Sequence, residues 1–224
     1  MFTLVLAESA LELVPKGMWT HPAVVSDSRR RGKEPREILL DRSFHHSAMA
    51  RLEGAEKRGR PDITHVALLS ATGTPLYLEG RMKVYVHTCQ DMVLDIAEKT
   101  RIPKSYFRFR GLMEKALAGE EEEGLVKSRP SELRELVVKR IGADAVYGLS
   151  VQGKSRELDE FAASIVEAER PCALVGGFPR GHFRPETTGL ADELVRIDPT
   201  PLEAHVVVAR LVYEVEKASK GINR

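Results

Sequence analysis

The chain reads as an α/β protein with a mainly parallel sheet flanked by helices, and three observations predict this. Short apolar runs suited to strands alternate with stretches of helical spacing, the order from which parallel sheets are built. Some of these runs are almost continuously apolar, as strands covered on both faces require. A late strand, Cys172-Ala173-Leu174-Val175, runs into the turn Gly176-Gly177-Phe178-Pro179-Arg180-Gly181 with no helix directly after it. Glycine lets a backbone approach a ligand closely, and ligands of open α/β sheets sit beyond the carboxyl ends of strands. A tight turn with no ligand fits the same residues equally well.

In chain order, Phe2 to Leu6 predicts the first strand and Ser9 to Val14 a short helix stopped by Pro15. The stretch from Lys16 to Arg36 lacks periodicity. Its Arg29-Arg30-Arg31, Lys33 and Arg36 surround Gly32 and Pro35, so it reads as a mobile basic loop, either solvated or touching a polyanion. Ile38 to Leu40 suits a short strand. Phe44, Ala48, Leu52 and Ala55 are spaced for a helix over Ser43 to Lys57. Ile63 to Leu69 reads as a buried strand, Arg81 to His87 as a half-exposed one, and Val93 to Ile96 as a further strand. Phe109, Leu112, Met113, Ala116 and Leu117 form the apolar stripe of a helix over Ser105 to Leu117, and Glu120 to Glu123 suit a solvent-facing turn after it. Ser131 caps a helix carrying Leu136, Val137 and Ile141. A strand over Ala145 to Val151, a helix over Arg156 to Glu169 and a strand over Leu194 to Ile197 complete the alternation. Thr200 and Pro201 then suit the cap and first position of a last helix. Val206, Val207, Val208, Leu211, Val212 and Val215 leave that helix a narrow polar face, which points to a two-fold interface.

Composition bounds the function. With 224 residues, 42% hydrophobic and 30% charged, the chain can bury one substantial core. No window approaches the roughly 18 apolar residues of a membrane span, and Glu8 interrupts the leading apolar run too early for a signal peptide, so a cytoplasmic setting is expected. Cys89 and Cys172 belong to no Cys-x-x-Cys pair and read as buried thiols. His45-His46 has no partner set for a metal, so none is assigned. The net charge of +1 hides a local asymmetry: Lys99, Arg101, Lys104, Arg108 and Arg110 occur without an acid between them and are interleaved with Tyr106, Phe107 and Phe109. Guanidinium groups match phosphate oxygens and aromatic rings stack on unpaired bases, so this run reads as an RNA surface.

No Gly-x-Gly-x-x-Gly follows the first strand, and no P-loop is present. Glycine turns gather late instead, at Gly153, Gly176, Gly177 and Gly181. With Ile197 to Leu202 they suit a site that reads its ligand through backbone groups.

Four motifs carry a resemblance: Gly59-Arg60-Pro61-Asp62-Ile63-Thr64-His65, Val84-Tyr85-Val86-His87-Thr88, Arg101 to Met113, and Gly176 to Gly181. In that order, and with the opening Leu6-Ala7-Glu8-Ser9-Ala10-Leu11-Glu12-Leu13-Val14-Pro15, the chain resembles the small-subunit rRNA pseudouridine N1-specific methyltransferases of ribosome biogenesis, a family of the SPOUT class. The resemblance implies one domain over residues 1–224, a C-terminal trefoil knot, and N-terminal and central insertions, the former a basic loop around residues 16–36. It also implies S-adenosylmethionine as cofactor, small-subunit rRNA as substrate, a homodimer, and small-subunit ribosomal proteins as further partners. Arg60, Arg101, Lys104 and Arg108 match the positions that grip RNA, and Asp62 the acid that orients Arg60, with Arg60 and Asp62 as the catalytic pair. Lys104 stands where Arg is frequent, which keeps the charge and loses the bidentate fork. Gly176, Gly177 and Gly181 match the cofactor turn, and Ile197, Asp198, Pro199, Thr200, Pro201 and Leu202 its second wall. An RNA-binding assembly factor with secondary or lost methyl transfer would use the same basic surface, and cofactor binding separates the two readings.

Overall fold

The computed structural model describes residues 1–120 and 125–222, so Glu121 to Glu123 of the expected acidic turn lie outside the described residues. Among the described residues, seven strands form one sheet: β1 (Phe2–Ser9), β2 (Met82–Thr88), β3 (Met92–Ile96), β4 (Val126–Pro130), β5 (Ala145–Ser155), β6 (Pro171–Gly176) and β7 (Glu193–Arg196). Their order is β4-β3-β2-β1-β6-β5-β7. β1 pairs in parallel with β2 and β6, and β5 with β6 and β7, while β3 and β4 extend one edge antiparallel. The α/β class and the mainly parallel sheet agree with the alternation in the sequence. The helices are α1 (Pro22–Arg31), α2 (Arg42–His45), α3 (Pro61–Thr72), α4 (Pro75–Leu78), α5 (Tyr106–Leu117), α6 (Leu158–Glu167), α7 (Pro185–Thr188) and α8 (Ala204–Ile222). None of the described helices is long and apolar enough to cross a membrane.

β1 is buried along its whole length because both its faces are covered. Leu4 and Leu6 join Val84, Val86, Ala173 and Val175 beneath α3, α5, α6 and α8, where Leu68, Phe109, Phe161, Leu211 and Val212 are buried. Val5 and Ala7 face the other way, with Tyr85 and Leu174, onto Leu136, Val137 and Phe183. Each large side chain so buried contributes roughly 1.5–3 kcal/mol relative to exposure. A third, smaller core of Val14, Met18, Val24, Ile38, Leu40 and Met49 lies under the segment between β1 and α3.

Several elements differ from expectation. Ile63 to Leu69 is not a strand but the middle of α3: Pro61 occupies the first turn and Asp62 supplies the acid favoured there. A short apolar run does not distinguish a buried strand from a buried helix. The Lys16 to Arg36 segment is not a mobile loop. Its centre is α1, where His21 caps Ala23 N–H, Pro22 opens the first turn, and Gly32 closes the helix at φ 62°. Arg29 to Arg31 thus sit in the last turn, where cations oppose the helix dipole. Ser9 to Val14 is extended rather than helical, because Ala10 N–H donates to Gly177 and the Glu12 carbonyl accepts from Leu40. Ile38 to Leu40 is reduced to one bridge, Leu13 to Leu39. Ser43 to Lys57 breaks into α2 and two 3₁₀ turns, Ala48–Arg51 and Ala55–Lys57, the second entered through Gly54 at φ 64°. β4 was hidden in the sequence by Lys127 and Arg129, as befits an edge strand. The segment after Ser131 winds as a π-helix, Glu135–Ile141. α8 begins at Ala204 rather than Pro201. One chain already buries Val208, Leu211, Val212 and Val215 of α8, while Tyr213 stays 60% exposed.

Candidate functional site

The carboxyl ends of the parallel strands meet at a cavity of about 560 Å³, within the size of small-molecule sites. Four segments wall it: the turn after β6, residues 197–202, the start of α8, and the start of α3. β5 opens its side. Leu149 and Lys154 both face Val195 of β7, so residues 150–153 leave the ladder, and Ser150 and Val151 line the cavity. The tail of β5 then returns so close to β7 that a Cβ on Gly153 would collide with the backbone of Leu194.

Of the expected cofactor residues, Gly176, Gly181, Ile197, Asp198, Thr200, Pro201 and Leu202 line the cavity, and Gly177 and Pro199 do not. Gly181 takes φ 85°, a conformation that favours glycine, and a Cβ on Gly176 would come within 2.9 Å of the Phe178 ring. Gly177 has a different task. Its N–H donates to Ala7 and its carbonyl accepts from Ala10, and any Cβ would run into Ser9. It packs the turn onto β1 rather than facing a ligand. The Asp198 carboxylate accepts from Thr200 N–H at 2.9 Å and from Arg210 at 3.0 Å, which pull its pKa down; it ties the wall together. Phe178, Val195 and Val207 also line the cavity, although the sequence did not mark their side chains as ligand-facing and placed Val207 in an interface instead. Apolar residues in a turn, a strand or a helix carry no distinguishing mark, whereas Gly153 did signal the β5 excursion.

Arg60 and Asp62, at the start of α3, line the same cavity. The backbone N–H of Arg60 donates to Ala10, anchoring it at the end of β1. Its Nε and Nη2 donate to the two Asp62 oxygens at 2.8 and 2.7 Å, a bidentate pair. The Asp62 hydrogen bond is the first cause of the upward pKa shift of Arg60. With one edge of the guanidinium occupied, Nη1 is left clear of Asp62.

Arg101, Lys104 and Arg108 do not line the cavity. They are exposed on the segment entering α5, beside Phe107 at 73% exposure. α3 links them to Arg60: His65 Nε2 lies 2.7 Å from the Pro103 carbonyl, and its ring stacks on Phe109 at 4.3 Å. The basic run is not uniform. Arg110 is 2% exposed, with Nη2 3.5 Å from Asp27 and its guanidinium 4.8 Å over Phe44. Tyr106 donates to Asp41, and burial together with that carboxylate holds its phenol far above the usual range. Arg110, Tyr106 and Phe109 therefore belong to the interior. Arg31 and Lys33 likewise turn inward onto Glu114, at 2.5 to 2.7 Å. Cys172 is buried and Cys89 half-buried, and burial pushes both thiols up to about 12.

Comparison with known proteins gives one consistent answer. The model of the EMG1/NEP1 methyltransferase family matches residues 4–216. The ribosomal RNA small subunit methyltransferase Nep1 of Thermococcus onnurineus is 43% identical over 219 residues, covering 96% of this chain and 98% of that protein. Its Pyrococcus furiosus counterpart is 38% identical over 216 residues, covering 95% of each. The crystal structure of Archaeoglobus fulgidus Nep1 bound to S-adenosylhomocysteine superposes with a TM-score of 0.86 at 35% identity, covering 97% of this chain and 98% of that one.

Proposed function

Because the chain belongs to the EMG1/NEP1 methyltransferase family, we propose that it transfers a methyl group from S-adenosylmethionine to N1 of a pseudouridine in small-subunit rRNA. The observation that carries this reading is the single cavity shared by the Gly176 to Gly181 turn and the Arg60–Asp62 pair. Its volume and its mix of apolar side chains with glycine backbone fit a nucleoside-sized cofactor. Gly176, Gly181, Ile197, Thr200, Pro201 and Leu202 would hold it, with Gly177, Asp198 and Pro199 keeping those walls in place. When bound, S-adenosylmethionine supplies an already activated methyl group.

The protein's task is then to align and desolvate. N1 of pseudouridine must lose its proton as it gains the methyl carbon, so negative charge grows on the base. Arg60 supports that charge through the guanidinium edge left clear of Asp62, acting as an oxyanion-type donor. Asp62 fixes Arg60 and leaves the N1 proton to water. Arg101, Lys104 and Arg108 bind the RNA backbone, which orients the target base without reading its sequence.

The remaining features are proposed on the same basis. Residues 1–224 act as one methyltransferase domain, and the passage from β5 to α8 forms the C-terminal trefoil knot. The protein works in the cytoplasm as a homodimer, supported by the exposed Tyr213 on α8, and meets small-subunit ribosomal proteins during assembly. Mass spectrometry of RNA fragments after incubation tests the activity: a methyl group is expected on pseudouridine and none on uridine at the same site. Methylation of uridine, or failure to bind S-adenosylmethionine at millimolar concentration, would sink the proposal.

A further inference from the structure

Beside the cavity, outside the residues assigned so far, two buried acids at the end of β1 each hold a cation from the segment that leads into Arg60. Glu12 accepts from Arg58 Nε at 2.7 Å and from its Nη2. Glu8 is 3% exposed and takes φ 50°, a left-handed conformation that costs a non-glycine residue energy. Its Oε1 accepts from the backbone N–H of Arg184 at 2.7 Å, while Oε2 lies 3.4 Å from Lys57 Nζ and 3.8 Å from Arg184 Nε. Lys57 Nζ also donates to the His182 carbonyl and lies 4.5 Å over the Phe178 ring. Phe178 and His182 both line the cavity.

We infer that Lys57, seated on Glu8, is a positioning residue that joins the cofactor turn to the Arg60 segment, so that filling the cavity strengthens RNA binding and the reverse. The inference rests on the proposed methyltransferase reading. The connection is short. From Lys57 the chain passes through Arg58, locked on Glu12, and Gly59, whose carbonyl accepts from Arg42, to Arg60, whose N–H is bonded to Ala10. At Gly59, φ is 67° and a Cβ would meet Met49, so this stretch has little room to move independently. A cofactor that settles the Phe178 to His182 turn settles Lys57 with it. Lys57 in turn fixes the start of the four residues ending at the guanidinium expected to face the base. Coupling of this kind is a free energy shared between sites and is reciprocal.

The test uses the intact protein, S-adenosylhomocysteine and an in vitro transcript of full-length small-subunit rRNA. In the wild type, saturating S-adenosylhomocysteine should tighten RNA binding by about 5- to 10-fold. Lys57→Met should weaken S-adenosylhomocysteine binding by calorimetry by a similar factor of about 5 to 10 and remove the RNA gain. Its cofactor-free RNA affinity should stay close to wild type, while its melting temperature falls because buried Glu8 loses one of its cations, so binding is compared at a temperature where both proteins are folded. Lys57→Arg should restore most of the coupling, which a residue serving only stability would not require. Wild-type cofactor affinity and coupling in Lys57→Met, or a wild type whose RNA affinity ignores S-adenosylhomocysteine, overturns the inference and leaves the methyltransferase reading intact. A wild type that does not bind S-adenosylhomocysteine overturns that reading itself.

Discussion

Replacing Asp62 with Ala separates what the Arg60–Asp62 pair does for the fold from what it does for the reaction. The two side chains are 39% and 45% exposed, so screening by water leaves the pair worth only about 0.2–1 kcal/mol to stability. Loss of an acid from the first turn of α3 adds roughly 0.3–1 kcal/mol. The variant should fold and melt within a few degrees of wild type. Its chemistry should suffer more. Deleting an oxyanion-type donor outright costs about 10²- to 10³-fold in rate; here the donor stays but its two hydrogen bonds to Asp62, 2.8 and 2.7 Å, are gone. A donor that must be ordered anew in each transition state should cost roughly 10- to 100-fold, or about 1.4–2.7 kcal/mol of barrier. Single-turnover methylation with RNA and cofactor saturating measures that step free of binding. Wild-type rate together with wild-type RNA affinity in Asp62→Ala would refute the assignment of Asp62 as the holder of Arg60.

Neutralising Arg101 and Arg108 together should flatten the salt dependence of RNA affinity, lowering the log–log slope by about 1.4 units if both face phosphates; an unchanged slope in filter binding would place those contacts elsewhere. Gly177→Ala should destabilise by about 1–3 kcal/mol through overpacking against Ser9, read from denaturant midpoints, with a larger effect on melting than on the cofactor affinity of the folded fraction. Glu114→Ala should cost about 3–5 kcal/mol, because it strands Arg31 and Lys33 beside a buried site. Acid should reproduce part of that loss. Burial raises the Glu114 pKa, but hydrogen bonds from Arg31, Lys33 and Leu39 N–H outweigh it and leave the folded value depressed. Its stabilisation is present above the unfolded carboxyl value and lost as pH falls through the folded one. His45 acts in the same direction at higher pH: burial lowers its pKa, so its share of stability is full above about 6.5 and declines below. Thermal melts from pH 8 to 4 should therefore fall in the wild type, and the lower part of that fall should shrink in a Glu114→Gln protein.

The parallel character of the central sheet was legible because β1 and β6 carry nearly continuous apolar runs, as strands covered on both faces require; β2, expected to be half-exposed because Lys83 and Tyr85 alternate with apolar residues, is instead buried along almost its whole length. α3 was not legible, since the seven-residue run Ile63 to Leu69, with five apolar residues, satisfies strand and helix alike; only Pro61 and Asp62 favoured the helix. The site was half legible. Glycines that open a cavity are marked in the sequence by their identity, so Gly176 and Gly181 fell where expected, but identity does not say which side of a turn faces ligand, and Gly177 faces β1. The same limit applies to charge. Five cations over Lys99 to Arg110 look alike in a sequence, and nothing local tells that the acids for Arg110 lie 69 and 83 positions earlier, at Asp41 and Asp27.

That division of labour within α5 explains how a helix proposed to face RNA can be rigid without being neutralised. Arg110 and Glu114 point inward, one helical turn apart, onto acids and bases of the α1 to α2 region: Arg110 toward Asp27 and Asp41, Glu114 onto Arg31 and Lys33. Burying such charges is costly unless each is paired, and here they are paired with opposite signs on neighbouring turns. The arrangement fixes the rotation of α5 about its axis, because a turn of the helix by one residue would set Arg110 or Glu114 against the wrong partner. Fixed rotation keeps Arg108 and Phe107 outward and Phe109 stacked on His65 of α3. The α1 to α2 region, unpatterned in the sequence, thus holds the exposed face of α5 in register with Arg60, and under the proposed RNA-binding role its own arginines need touch no phosphate to contribute.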